Sequence, residues 1–169
     1  MQNVFGNQPK EQGVSHMDNT DLHILNILQE KARIPNVEVA RKIGMAPSAV
    51  LERIKKLEAQ DIIQGYEVRL NPEMFDCAMI AFIQIKVDPP DRLADTGRLL
   101  AGIDQIQEVH HLAGEDCLMV KMRVSDNTQL ETILRTRITP LDHIKDTRTL
   151  IVLSTYKENA KIQLPNPTE

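Results

Sequence analysis

The sequence predicts an α+β chain built in two parts, three short helices followed by a βαββαβ run. Three observations carry this reading. Residues 38–58, EVARKIGMAPSAVLERIKKLE, hold apolar positions at helical spacing, interrupted at Gly44 and resumed after Pro47. From Ala78 the hydrophobic period falls to two in AMIAFIQIKV. Beyond Pro90, helical and strand periods alternate until KDTRTLIVLSTY.

Each element has its own local reason. In NTDLHILNILQEKA, Leu22, Leu25 and Leu28 form one apolar side, which Ile24 and Ile27 widen. Asn19 or Thr20 is the expected cap, with Asp21 in the first turn, where a helix favours negative charge. Pro35 breaks this helix, Asn36 is the expected cap of the next, and Val39, Ala40 and Ile43 are its buried side. Gly44 suits a left-handed helix end, and Pro47 the first turn of a third helix carrying Val50, Ile54 and Leu57. Ile62, Ile63 and Gly65-Tyr66 lead into an extended segment, with a turn at Asn71-Pro72. The first strand puts Ala81, Ile83, Ile85 and Val87 on one face and Ile80, Phe82, Gln84 and Lys86 on the other. A helix over 91–101 follows, then strands in QIQEVHHLA and CLMVKMRV around a turn at GED. A helix through Leu130, Ile133, Leu134 and Ile138 precedes the closing strand.

The domains expected are a helix-turn-helix unit over 18–64, a linker strand over 65–77, a βαββαβ (ferredoxin-like) domain over 78–157 and a tail over 158–169. Residues 1–17 are polar and aperiodic, and are read as a disordered or vector-derived extension.

Small Ala40, Gly44 and Val50 resemble the helix-turn-helix pattern of DNA-binding regulators. Opposite the buried stripe, the third helix offers Pro47, Ser48, Ala49, Glu52, Arg53, Lys55 and Lys56, and the second adds Arg41 and Lys42. Between Arg41 and Lys56 there are five basic residues and one acidic one, although the whole chain carries a net charge of −4. Lysine and arginine there can neutralise phosphates of double-stranded DNA. Ser48, Ala49, Glu52 and Arg53 lie best for base edges, Arg53 toward guanine and Glu52 toward cytosine. A solvated charged face is the plain alternative for RIKKLE; its coincidence with the small-residue turn favours DNA.

The sheet keeps apolar residues on both faces, so its second face calls for cover by another subunit, and a homodimer or larger assembly is expected. Two distant cysteines, Cys77 and Cys117, form no CxxC pair, which disfavours zinc or a disulfide framework. No apolar run reaches membrane-spanning length and no secretion signal is recognisable, so a cytoplasmic protein without membrane contact is expected. An aromatic content of 3% disfavours stacking platforms for single strands. Glu108, His110, His111, Asp116 and Cys117 are the only dense reactive cluster, yet strand alternation separates the two histidines. Neither catalysis, nor a metal, nor a cofactor is expected.

The stretches from Ile34 to Pro72, then HLAGEDCLMVKMRV and DTRTLIVL, together resemble the Lrp/AsnC (feast/famine) transcription regulators from Asp18 to about Lys157. The signature positions are Leu51 to Glu58, Ile63, Gly65 and Tyr66. The resemblance implies a winged helix-turn-helix, an effector-binding and oligomerising second domain, dimers that assemble to octamers, and a response to free amino acids. It places the effector at Ala113, Gly114, Glu115, Asp116 and Cys117. Apolar Ile151 and Leu153 are expected nearby, and leucine or methionine is the expected effector.

Two positions depart from the family pattern. Ala46 stands where a capping Ser is usual, and Cys117 where the family's Gly-x-x-Asp turn has its aspartate. The second departure keeps a rival in view, an effector-independent architectural protein that bends or wraps DNA. A third reading, a basic helix that meets an acidic protein partner, predicts no binding to duplex DNA.

Overall fold

The computed structural model describes residues 17–114 and 117–165. They divide into two compact units: the residues up to Arg69 joined by those from Asn159, and Leu70–Glu158.

The first unit holds α1 (Asn19–Glu30), α2 (Asn36–Ile43) and α3 (Pro47–Ala59). Asp18, rather than Asn19 or Thr20, caps α1. Its carboxylate accepts from the Asp21 N–H while the Asp21 carboxylate accepts from the Asp18 N–H. That reciprocal box needs a spacing of three, which Asp18 alone has. The second helix likewise starts one residue earlier than expected at its cap. Pro35, already extended at φ −62°, accepts through its carbonyl from the N–H groups of Glu38 and Val39, so Asn36 becomes the first helical residue. Gly44 closes α2 at φ 71°, and Ala46 begins α3 without a side-chain cap.

Ile24, Leu25, Leu28, Val39, Ala40, Val50, Ile54 and Leu57 interlock as the core of this unit. Ile34, given no role in the sequence reading, is buried with them, and Met17 packs at their edge. The C-terminal segment also returns here. The Gln29 amide bonds both the N–H and the carbonyl of Ile162, at 2.8 and 3.1 Å, Lys161 pairs with Glu30 at 2.7 Å, and Leu164 packs on the core.

Residues 65–71 form no regular structure, and Pro72–Phe75 make a 3-10 turn capped by Asn71. The expected linker strand over 65–77 is therefore corrected: among the described residues, strands occur only in the second unit. A strand needs a ladder partner for its N–H and C=O groups, and the single chain supplies none to this segment.

The second unit runs β1 (Met79–Val87), α4 (Leu93–Ala101), β2 (Ile106–Leu112), β3 (Cys117–Val124), α5 (Asn127–Ile133) and β4 (Ile144–Ile151). Its four strands are antiparallel in the order β2-β3-β1-β4. A 3-10 turn over Pro90–Arg92 leads into α4, and a π-helical turn over Leu134–Ile138 continues α5. Both helices cover one sheet face, where Ala81, Ile83, Ile85 and Val87 meet Leu118, Val120, Met122 and Val124. The closing strand ends at Ile151, five residues short of the expected Tyr156. Its ladder with β1 stops there, the last bond being from the Val152 N–H to the Ile80 carbonyl.

A Cβ placed on Gly44 would meet nothing within 4 Å, so the cost of a side chain there is conformational. Gly44→Ala should destabilise the helical unit by about 1 kcal/mol through its left-handed backbone, read as a lowered denaturation midpoint at unchanged slope.

Candidate nucleic-acid interface and effector turn

The apolar stripe that buries Val50, Ile54 and Leu57 turns the rest of α3 outward. Pro47, Ser48, Glu52, Lys55 and Lys56 are exposed and Ala49 is half-buried. Arg41 and Lys42 are exposed on the last turn of α2, which Gly44 joins to α3. Glu52 and Lys55 stand 3.7 Å apart, one turn along the same face. Such an exposed pair contributes little stability and leaves the lysine free to exchange partners.

Arg53 is placed differently from the expectation. Its Nη1 lies 2.7 Å from Asp18 Oδ2 and 2.8 Å from Asp21 Oδ1, so the guanidinium ties α3 to the start of α1. The Asp21 N–H, and after it the Arg53 guanidinium, hold the Asp18 carboxyl below the usual carboxylate range against the opposing effect of burial. Asp21 and then Asp18 hold Arg53 above its ordinary value. The sequence reading turns Arg53 toward guanine; here it turns toward α1, because helix periodicity puts position 53 at the margin of the buried stripe. At the far end of α3, the Tyr66 hydroxyl donates to Glu58 at 2.9 Å. Burial, and then Glu58, push its pKa up to about 12.

In the second unit, Ala113 and Gly114 form an exposed turn after β2, with Gly114 at φ 101°. Glu115 and Asp116 lie outside the described residues. Cys117 is buried at the head of β3, its sulfur 3.5 Å from the Gln84 amide nitrogen. Ile151 and Leu153 are not beside this turn. Ile151 pairs with Ala81, whereas Cys117 pairs with Lys86. Five residues of β1 separate them, about 17 Å of strand. The antiparallel register sends the end of β4 away from the β2-β3 turn.

The residues that do surround Cys117 are Gln84, Lys86, Asp146 and Arg148, which line a shallow pocket on the uncovered sheet face. The sequence reading passed over them. Its available signal was polar Gln84 and Lys86 succeeding apolar Ile80 and Phe82 on the same strand face. Farther along that face, Lys121 Nζ lies 2.9 Å from Glu108 and 2.6 Å from Glu158, and Arg123 lies 2.6 Å from Glu158. His110 is 3.2 Å from Glu108 on the same strand face, while His111 pairs with inward-facing Leu118.

A short-turned helix pair with an outward polar and basic face, joined to a βαββαβ unit, is the build of a two-domain DNA-binding transcription regulator. Residues 17–58 match the AsnC-type helix-turn-helix domain and residues 80–162 the Lrp/AsnC ligand binding domain. The chain is 33% identical over 144 residues to the leucine-responsive regulatory protein of Haemophilus influenzae, covering 84% of this chain and 87% of that one. It is also 33% identical over 148 residues to the Escherichia coli K12 protein of the same name, covering 86% and 90%. Among solved structures, E. coli AsnC superposes with a TM-score of 0.76 at 26% identity, over 89% of this chain and 99% of that one. A Neisseria meningitidis transcriptional regulator in complex with L-methionine gives 0.82 at 25% identity, over 87% and 96%. The chain belongs to the Lrp/AsnC family.

The Lys121 hydrogen bond, and then Arg123, hold the Glu158 carboxyl below its ordinary value of 4.5 against the effect of burial. A depressed carboxylate contributes stability above its unfolded value that is lost as pH falls through the folded one. The second unit should therefore weaken on the acid side of 4.5. Glu158→Gln should flatten that acid limb in denaturant unfolding followed across the same pH range.

Proposed function

We propose that this chain is a sequence-specific transcription regulator that reads duplex DNA with α3 and responds to a free amino acid. The observation that carries the DNA part is the outward face of α3, whose Ser48, Glu52, Lys55 and Lys56 are all exposed beside Arg41 and Lys42. Lys56, Lys55, Arg41 and Lys42 neutralise phosphates and set the register; Ser48, Ala49 and Glu52, on the first turns of α3, meet base edges. The acidic remainder of the chain confines this attraction to one surface.

Two features support an amino-acid effector. A family relative is solved in complex with L-methionine, and the pocket beside Cys117 holds both charges a zwitterion requires. In this reading Asp146 takes the ammonium group in place of the aspartate that Cys117 replaces. Lys86 and Arg148 take the carboxylate. An apolar side chain, leucine or methionine, then lies toward Met119 and Leu112 of the same face. The far end of that face, where Leu150 is exposed and Phe82 half-buried, is the surface a second copy covers in a homodimer. The architectural reading is favoured by one observation, the buried thiol at the family's aspartate position.

Binding to duplex DNA should weaken steeply with rising salt. Lys56→Ala should lower affinity for specific and random duplexes alike and reduce the salt slope by about one. Ser48→Ala should change the preferred sequence and leave random binding in place. Equal losses on both DNAs for both variants would place the recognition surface elsewhere.

The effector is tested by melting temperature against each amino acid at millimolar concentration. A ligand that binds only the folded state stabilises by about 2.7 kcal/mol at a hundredfold excess over its Kd. One or a few amino acids should raise the temperature, and Asp146→Ala should abolish the rise. A flat panel would favour the architectural protein.

A further inference from the structure

We propose that Arg53 is a positioning residue of the recognition helix: it sets the pose of α3 through Asp18 and Asp21 and does not itself touch DNA. The inference rests on the reading of α3 as the DNA-binding helix and concerns how that helix is held.

Two observations carry it. The first is the ion-pair geometry. One guanidinium nitrogen meets both carboxylates, at 2.7 and 2.8 Å. The Asp21 side chain is only 8% exposed. A buried carboxylate left without its partner is strongly destabilising, so Arg53 is the group that allows Asp21 to stay where it is. Asp18 and Asp21 in turn form the reciprocal cap of α1. The beginning of α1 and the middle of α3 are thereby fixed to each other by three side chains. Burial of Val50, Ile54 and Leu57 sets which face of α3 turns inward. The directional charge pair at the margin of that stripe adds a second fixed point, tying α3 to the start of α1.

The second observation is the charge of the surface around it. Asp18, Asp21, Glu52, Arg53 and Lys56 line one shallow groove, three carboxylates against two cations. At Arg53 itself the two cap carboxylates already balance the guanidinium, at 2.7 and 2.8 Å, so a phosphate gains little there. Backbone contacts fall instead to the exposed cations Arg41, Lys42, Lys55 and Lys56. The guanidinium charge, already neutralised within the protein, releases no counterions on binding.

These roles have distinct signatures. The variants Arg53→Gln, Arg53→Lys, Asp18→Asn and Asp21→Asn are made in the full chain. Each is titrated against a duplex that the wild-type protein selects from a random pool, and against random duplex, across a salt series. Melting temperatures are measured in parallel, and titrations are run below them. Arg53→Gln and Asp21→Asn should each weaken binding to the selected duplex by roughly tenfold or more. The slope of log affinity against log salt should stay at the wild-type value, and Arg53→Lys should recover part of the loss. Asp18→Asn keeps a competent helix cap while removing one charge of the pair. It should show the same behaviour in weaker form, and it carries the test if Asp21→Asn does not fold.

A slope reduced by about one in Arg53→Gln, with the aspartate variants binding as wild type or tighter, would put Arg53 on a phosphate and overturn the proposal. A changed preference at a single base pair in Arg53→Lys, at unaltered melting temperature, would make it a base reader and overturn it equally. Wild-type protein that selects no duplex would overturn the DNA-binding reading itself, and this inference with it.

Discussion

The DNA-binding surface depends on the burial of one face of α3 against two other short helices. Helices of 8 to 13 residues are marginal alone in water. Their order comes from Val50, Ile54 and Leu57 closing against Ile24, Leu25, Leu28 and Val39. Because the stripe is fixed, so is the direction of every other side chain on the helix. Ser48, Glu52 and Lys56 face solvent because Val50, Ile54 and Leu57 cannot. The second unit obeys the same rule with a period of two. Ala81, Ile83, Ile85 and Val87 must meet α4 and α5, so Gln84 and Lys86 are presented on the other side.

How much of this was legible in the sequence follows from how local each cause is. The left-handed Gly44, the uncapped Ala46, Pro47 at the head of α3 and the two faces of β1 are all set by a residue and its immediate neighbours. These are where the sequence expectations and the structure coincide. The caps of α1 and α2 lie one or two residues before the expected positions because a competing partner lies just outside the segment considered. Asp18 reached Asp21, and Pro35 supplied its carbonyl. The misplacement of Ile151 and Leu153 beside the effector turn has a longer-range cause. Which end of β4 lies near Cys117 depends on strand order and register, and neither is encoded in any single strand. Arg53 is the same problem on a helix, since its partners stand more than thirty positions earlier in the chain.

Charge is partitioned by surface. The chain is acidic as a whole, yet α2 and α3 gather exposed lysine and arginine on one side while Asp18, Asp21 and Glu52 bound it on the other. The open face of the sheet carries Lys86, Asp146 and Arg148 toward one end, and toward the other Ile80, Phe82 and Leu150 interleaved with the ion-paired Lys121 and Arg123.

The return of residues 159–165 to the helical unit has a consequence for biosynthesis. Domains generally fold as units in the order in which they leave the ribosome. Here the three helices emerge first, but Leu164 and the bonds of the Ile162 backbone to the Gln29 side chain belong to their structure. The unit translated first is completed only after the whole of the second has been made. A nascent chain therefore carries an unfinished DNA-binding head, with the flank of α1 open, until the effector domain is already in place.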